Sequence, residues 1–200
     1  MQVVLLAVML FAAYRTQAVL MKARLQGFEI NAAATAMVTD VHDAEQLYWA
    51  NYQPEWVLTL VPYIRENRLS VFSEPQSWFL GKPLDLMFNL ASPNECKGEL
   101  ESATAVAGAW PGSLRITGWA WDYKQRRTPS GIVATANDII RGLGVVGGWR
   151  PAVRGANPKV TTDYSGFTGY VRNVPPSGPV KIYAILHGNP ASACLIATAK

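Results

Sequence analysis

Two cysteines, two histidines and a low share of charged residues rule out several kinds of chemistry at the outset. Cys96 and Cys194 form no CxxC pair, and His42 and His187 have no partner at metal-ligand spacing, so no metal centre is expected. The chain has no glycine-rich phosphate loop, no dinucleotide fingerprint and no G-x-S-x-G nucleophile turn, so no cofactor is expected either. Asp122, Asp138 and Asp163 each lie beside turns, where aspartate commonly serves local hydrogen bonding, and no spacing selects a pair of them for glycoside hydrolysis. Charged residues make up 16% of the chain, against about 25% in ordinary globular domains. The formal net charge of +4 is scattered, and its one tight cluster, Lys124, Arg126 and Arg127, reads as a solvated loop rather than a nucleic-acid surface.

No apolar stretch reaches the roughly 20 residues that a membrane-crossing helix needs. The longest, Val3 to Tyr14, also lacks the basic start of a signal peptide. Beyond it, Ala18, Val19, Leu20, Met21 and Leu25 keep helical spacing while Arg15, Gln17, Lys22 and Arg24 interrupt. Residues 1–38 are therefore read as a membrane-exit helix, the end of a transmembrane segment, or as an interfacial helix lying on the surface. The abrupt apolar start suggests the tail of a larger polytopic protein. The cations that follow the run would place the rest of the chain in the cytosol by the positive-inside rule.

What the sequence does contain is clearer downstream. Residues 39–95 read as a helical connector and ordered linker. Asp40 or Asp43 can cap a first helix, Pro54 opens a second, and Pro62 should kink it. Leu69 to Phe72 reads as a short strand or an extended segment. Residues 73–93 mix proline, serine and glycine with Trp78, Phe79, Leu84, Leu86, Met87 and Phe88, which need burial.

Residues 96–200 read as strands divided by turns. Leu114 to Trp121, Ile132 to Ala136, Ile139 to Val146, Phe167 to Val174, Val180 to Leu186 and Cys194 to Ala197 are the segments. Asn137-Asp138 and Pro175-Pro176-Ser177-Gly178 are the strongest turns, and a long loop spans Gly147 to Ser165. No helix is expected in this block. The fold class expected is an all-β C-terminal sandwich, immunoglobulin-like or jelly-roll-like, preceded by an α-helical, membrane-proximal N-terminal region. Cys96 and Cys194 bracket the block, which favours a disulfide joining its first strand to its last. An oxidising compartment follows, and this outweighs the charge rule because upstream spans would set the topology.

The phrase Thr117-Gly118-Trp119-Ala120-Trp121-Asp122, with Gly148-Trp149-Arg150-Pro151 and Phe167-Thr168-Gly169-Tyr170, resembles a C-terminal sandwich domain of uncharacterised polytopic bacterial inner-membrane proteins. Some of these resemble membrane glycosyltransferases or polysaccharide-assembly proteins. The connector is similar to theirs through Val61-Pro62-Tyr63-Ile64-Arg65 and Leu69-Ser70-Val71-Phe72. An acidic residue often follows the Arg-Pro pair in that family; Ala152 stands there in this chain, which weakens a polar role for the loop. The resemblance implies a bacterial inner-membrane location, with the C-terminal domain on the periplasmic or extracellular side.

Two places suit sugar contact. Trp119 and Trp121 share one face of a strand. Exposed, they would stack on pyranose rings; buried, they would fill a core, which is favoured because Ile116, Gly118 and Ala120 on the other face are small. Trp149 and Arg150, in the long loop, are the better surface pair. The function expected is a non-catalytic extracytoplasmic accessory domain on a membrane anchor that contacts envelope glycans. A fragment of a membrane glycosyltransferase-like enzyme, with its active site elsewhere, and a docking module for a membrane-protein subunit are the alternatives.

Overall fold

Residues 2–38 are rich in alanine, leucine and methionine and contain no proline, so they form a single helix, α1 (Gln2–Val38), about 55 Å long. The computed structural model describes residues 2–106, 110–175, 178–188 and 190–199, with side chains from Tyr14 onward. Most of the Val3–Tyr14 apolar run and part of the Pro175–Gly178 turn thus lie outside the described side chains or residues. No helix among the described residues is long and apolar enough to cross a membrane, which corrects the transmembrane reading of α1.

The helix ends where Asp40 adopts a left-handed conformation (φ 58°). The Val41 amide then reaches back to the Ala36 carbonyl, at 3.0 Å, in the manner of a Schellman cap. Asp43 caps α2 (Ala44–Leu47), and Pro54 starts α3 (Pro54–Glu66), which carries Pro62 inside it, much as the sequence suggests. Leu69 to Phe72 is not a strand. Arg68 and Ser70 hold φ near +51° and +53°, which breaks an extended path, and Ser70–Ser73 coils into a 3-10 turn instead. A second 3-10 turn, Pro75–Phe79, and a short helix, α4 (Leu84–Met87), complete the connector.

Eight strands form one curled sheet rather than two separate ladders. They are β1 (Asn89–Leu90), β2 (Cys96–Ala105), β3 (Leu114–Asp122), β4 (Gly131–Ala136), β5 (Ile139–Gly148), β6 (Gly166–Val171), β7 (Val180–Leu186) and β8 (Ser192–Ala199). Their order across the sheet is β1-β8-β7-β4-β5-β6-β3-β2, antiparallel except for the short parallel pair β1–β8. Asn137 and Asp138, both at positive φ, make the two-residue turn between β4 and β5. The curl brings β2 back beside β8. The Cys96–Cys194 disulfide joins them with Cα atoms 6.2 Å apart, as the cysteine placement leads one to expect.

Both faces of the sheet are covered. Inside the curl, Ile116, Ile132, Phe167, Ile182 and Leu186 form the main core. Outside it, Val133, Ile140, Leu143, Tyr183 and Ile185 pack under Val38, Val61, Phe72, Leu84 and Phe88 from the helical connector. The second half of α1 docks along β5 and β6 through Ala32, Ala33 and Ala36, all fully buried. Close approach there has a strict requirement at Gly148, where an added Cβ would lie 2.9 Å from the Phe28 ring. The first half behaves differently: Tyr14 to Arg24 is exposed. The 96–200 block does contain a helix, α5 (Pro151–Ala156), with proline at its first turn.

A buried polar hub ties connector to sheet. The Tyr170 hydroxyl donates to Asp43 Oδ2 at 3.1 Å. Arg115 Nη1 donates to the same oxygen at 3.1 Å and to Glu45 Oε2 at 3.0 Å. Burial, reinforced by the Asp43 charge, pushes the ionisation of Tyr170 far above the ordinary tyrosine range, and burial also raises Tyr183. Unfolded tyrosine releases its proton near pH 10, whereas folded Tyr170 keeps it. The stability associated with Tyr170 is therefore present below about pH 10 and declines by about 1.4 kcal/mol per pH unit above it. Urea unfolding between pH 8 and 11 should show that decline, and Tyr170→Phe should flatten it by about that slope; an unaltered slope would count against this account of the hub.

Candidate functional site

The four aromatic and basic positions singled out for sugar contact separate into two pairs. Trp119 and Trp121 point to the outer face of β3, where they pack with Val160 and, more loosely, Tyr123 and Val153. Trp121 is 1% exposed, so this pair offers no surface to a ligand. The segment after β5, including α5, covers them. The small residues on their opposite face are explained by the Phe167 ring, which lies 2.8 Å from where a Cβ on Gly118 would stand. The inner face of β3 is thus filled from β6, and the tryptophans serve a second core outside the curl.

Trp149 and Arg150 lie where β5 ends and α5 begins, and Trp149 is 45% exposed. Arg150 Nε donates to Glu101 Oε2 at 3.0 Å, and its Nη1 donates to the Trp149 carbonyl at 3.0 Å. These two bonds fix the guanidinium between Glu101 and the Trp149 main chain. A cavity of about 210 Å³ opens next to them, walled by Leu25, Phe28, Glu29, Trp149, Arg150 and Thr168. Glu29 is held in turn by Gln46, whose Nε2 donates to its Oε2 at 2.9 Å. The arrangement pairs an exposed aromatic face with fixed hydrogen-bonding groups, which suits a sugar ring with its apolar faces and peripheral hydroxyls.

The turn aspartates are each engaged locally. Asp122 Oδ1 accepts from the Gln125 amide at 2.9 Å, Asp138 accepts from Lys181 Nζ at 2.9 Å, and Asp163 pairs with Arg154 at 3.5 Å. His187 is depressed below the usual histidine range, first by burial and then by the Arg127 charge. Among the described residues no group of three potential ligands is gathered for a metal ion.

A second polar constellation has no local signature in the sequence. Asp40, at the end of α1, accepts from Arg65 through Oδ1 and from Arg172 Nη1 through Oδ2 at 2.8 Å. Trp110 Nε1 approaches the same Oδ2 at 3.5 Å, and Arg172 lies 5.6 Å from the Trp110 ring centre. Arg65 lies 5.0 Å from the ring centre of Phe72. These groups edge a cavity of about 560 Å³ that Arg68 and Trp78 also line. Its members come from residues 38–80 and from position 172, and only the fold brings them together. No family model, curated protein or solved structure matches this chain, so the reading of both sites rests on their geometry.

Proposed function

We propose that the chain is a non-catalytic extracytoplasmic accessory domain, held to a bacterial inner membrane by α1, that contacts envelope glycans through Trp149 and Arg150. The observation that carries this reading is the division of α1. Its second half is sealed against β5 and β6, while Tyr14 to Arg24 is exposed and continues a helix whose start is the apolar run Val3–Tyr14. A rigid helix with one end buried in a domain and the other end apolar is a mount rather than a core element. It would seat in the headgroup and upper acyl region rather than span. Exposed Trp49, Tyr52, Trp56 and Tyr63 on the connector add residue types favoured at membrane interfaces.

The disulfide supports an oxidising compartment, since such bonds are rare in the cytosol. The curled sheet, closed over its inner core, would act as the sandwich-type scaffold that displays the loop carrying Trp149. Asp138 and Asp163 each pair with a nearby cation, which fits a binding role better than paired-carboxylate catalysis.

The test has two arms. The full chain is mixed with vesicles of phosphatidylethanolamine and phosphatidylglycerol and separated by flotation. It should rise with the vesicles, and Leu5→Asp with Leu10→Asp should reduce the bound fraction at least about tenfold, since a charge is costly in the acyl region. Retention of the parent chain in the vesicle-free fraction would overturn the membrane mount. In the second arm, envelope oligosaccharides are titrated while tryptophan fluorescence and amide shifts are followed. Trp149→Ala should abolish the response; a response that survives it unchanged would overturn the assigned contact.

A further inference from the structure

We propose that the cavity edged by Asp40, Arg65, Arg68, Arg172 and Trp78 binds an acidic saccharide, a sugar ring carrying a carboxylate or a phosphate. The site is separate from Trp149 and Arg150, and the inference extends the glycan-contact reading by naming a ligand class.

Charge is the first argument. Three arginines line the cavity against one carboxylate. Asp40 spends one oxygen on Arg65 and the other on Arg172, so Arg68 has no ion-pair partner among the described residues. A guanidinium carries five N–H donors. Arg65 uses its Nη2 on Asp40 and, at 3.3 Å, on the Met37 carbonyl, while Arg172 gives Nη1 to Asp40. Donors remain on all three side chains for a guest. Burial opposes the charge of Arg172 first, Asp40 relieves part of that cost, and Arg65 and Arg141 add repulsion. A second anion in the cavity would supply the missing compensation. Arginine forks match the planar oxygens of carboxylate and phosphate in paired hydrogen bonds.

The walls supply the second argument. Trp78 lines the cavity with 60% of its surface exposed, an open indole beside cationic groups, and buried Phe72 forms part of the floor. An inorganic anion has no use for an aromatic wall. A pyranose has, because its C–H faces stack on indole while its acidic substituent meets the arginines.

The full chain is titrated with glucuronate, glucose 6-phosphate, glucose and inorganic phosphate, followed by calorimetry and by amide shifts. At least one acidic sugar should bind at least tenfold more tightly than glucose, and glucuronate against glucose 6-phosphate tells carboxylate from phosphate. Arg68→Ala and Trp78→Ala replace exposed side chains outside the core, and each should weaken that binding at least fivefold. Glucose binding as well as both acidic sugars would overturn the inference. So would inorganic phosphate matching glucose 6-phosphate with Trp78→Ala silent, since the site would then be a plain anion site. Acidic-sugar binding that is lost in Trp149→Ala but kept in Arg68→Ala would overturn this inference while upholding the contact at Trp149; the reverse pattern is the one expected of two separate sites, and the Trp149 contact then stands or falls on its own oligosaccharide titration.

Discussion

Replacing Cys96 and Cys194 together by alanine is expected to lower stability by about 2–5 kcal/mol, a fall in Tm on the order of 10 °C for a chain of this size. The bond spans a separation of 98 residues, and in the chain-entropy picture a loop of about that length restricts the unfolded chain by about 4.7 kcal/mol. The seam it closes makes the effect larger than at an ordinary position. β2 hydrogen-bonds to β3, and β8 to β7 and β1, but β2 and β8 share no ladder. They meet through side chains, with Gly98 set so close to Ile196 that an added Cβ would lie 3.0 Å from the isoleucine Cβ. Without the covalent link, such contacts and the short β1–β8 pairing just before β2 hold the curl shut over Ile116, Ile132 and Phe167. Reversible urea unfolding of parent and double variant measures the difference. A loss below about 1 kcal/mol would show that the curl is closed by packing alone.

Trp121→Ala is expected to cost about 3–5 kcal/mol, the range for removing a large buried aromatic, and to disturb a site that the residue never touches. Trp121 is 1% exposed and supports Val160 and Val153, which belong to the segment leading away from Trp149 and Arg150. Removing the ring leaves that segment without its floor, so the variant should lose oligosaccharide response along with stability. Trp121→Phe separates the two contributions. The indole Nε1 is buried without a hydrogen-bond partner among the described residues, so a phenyl ring keeps most of the packing and removes an unsatisfied donor. It should remain within about 1.5 kcal/mol of the parent. Thermal unfolding and the fluorescence titration, run on both variants, check the pair. If alanine and phenylalanine behave alike, the ring does not support the segment.

The parts of this fold that can be read from sequence are those set by near neighbours. The strict alternation of Val180, Ile182, Ala184 and Leu186 gives β7 and its inner face directly, and Asn137-Asp138 gives the turn between β4 and β5. Pro54 and Asp43 mark helix starts because each satisfies a local requirement of the first turn. The misreadings have a common origin in tertiary context. Leu69 to Phe72 is an apolar run that either a strand or a coil could bury, and the left-handed Arg68 and Ser70 decide for the coil. Helix α5 is six residues long, and Gly155 near its end weakens the pattern that Pro151 begins. Two residues of parallel pairing, Asn89 with Ser192 and Leu90 with Ala193, leave no pattern at all. The site at Trp149 and Arg150 was accessible because its two main groups are adjacent in the chain. The cavity at Asp40 was not, because Arg172 joins it from a distance of 132 residues.

The strand order has a consequence for how the molecule comes into being. The last two strands sit beside β4 and β1 in the sheet, and they contribute Val180, Ile182, Ala184, Leu186 and Cys194 to the inner core. A growing chain that has emerged only as far as β6 can pair β2, β3, β6, β5 and β4, yet it presents one open apolar surface along β4 with nothing to cover it. Completion waits for residues 180–199, and closure of the ring comes last of all. Premature termination anywhere before β7 would therefore yield not a smaller stable domain but a sticky, incomplete sheet, the kind of product that chaperones hold and proteases remove.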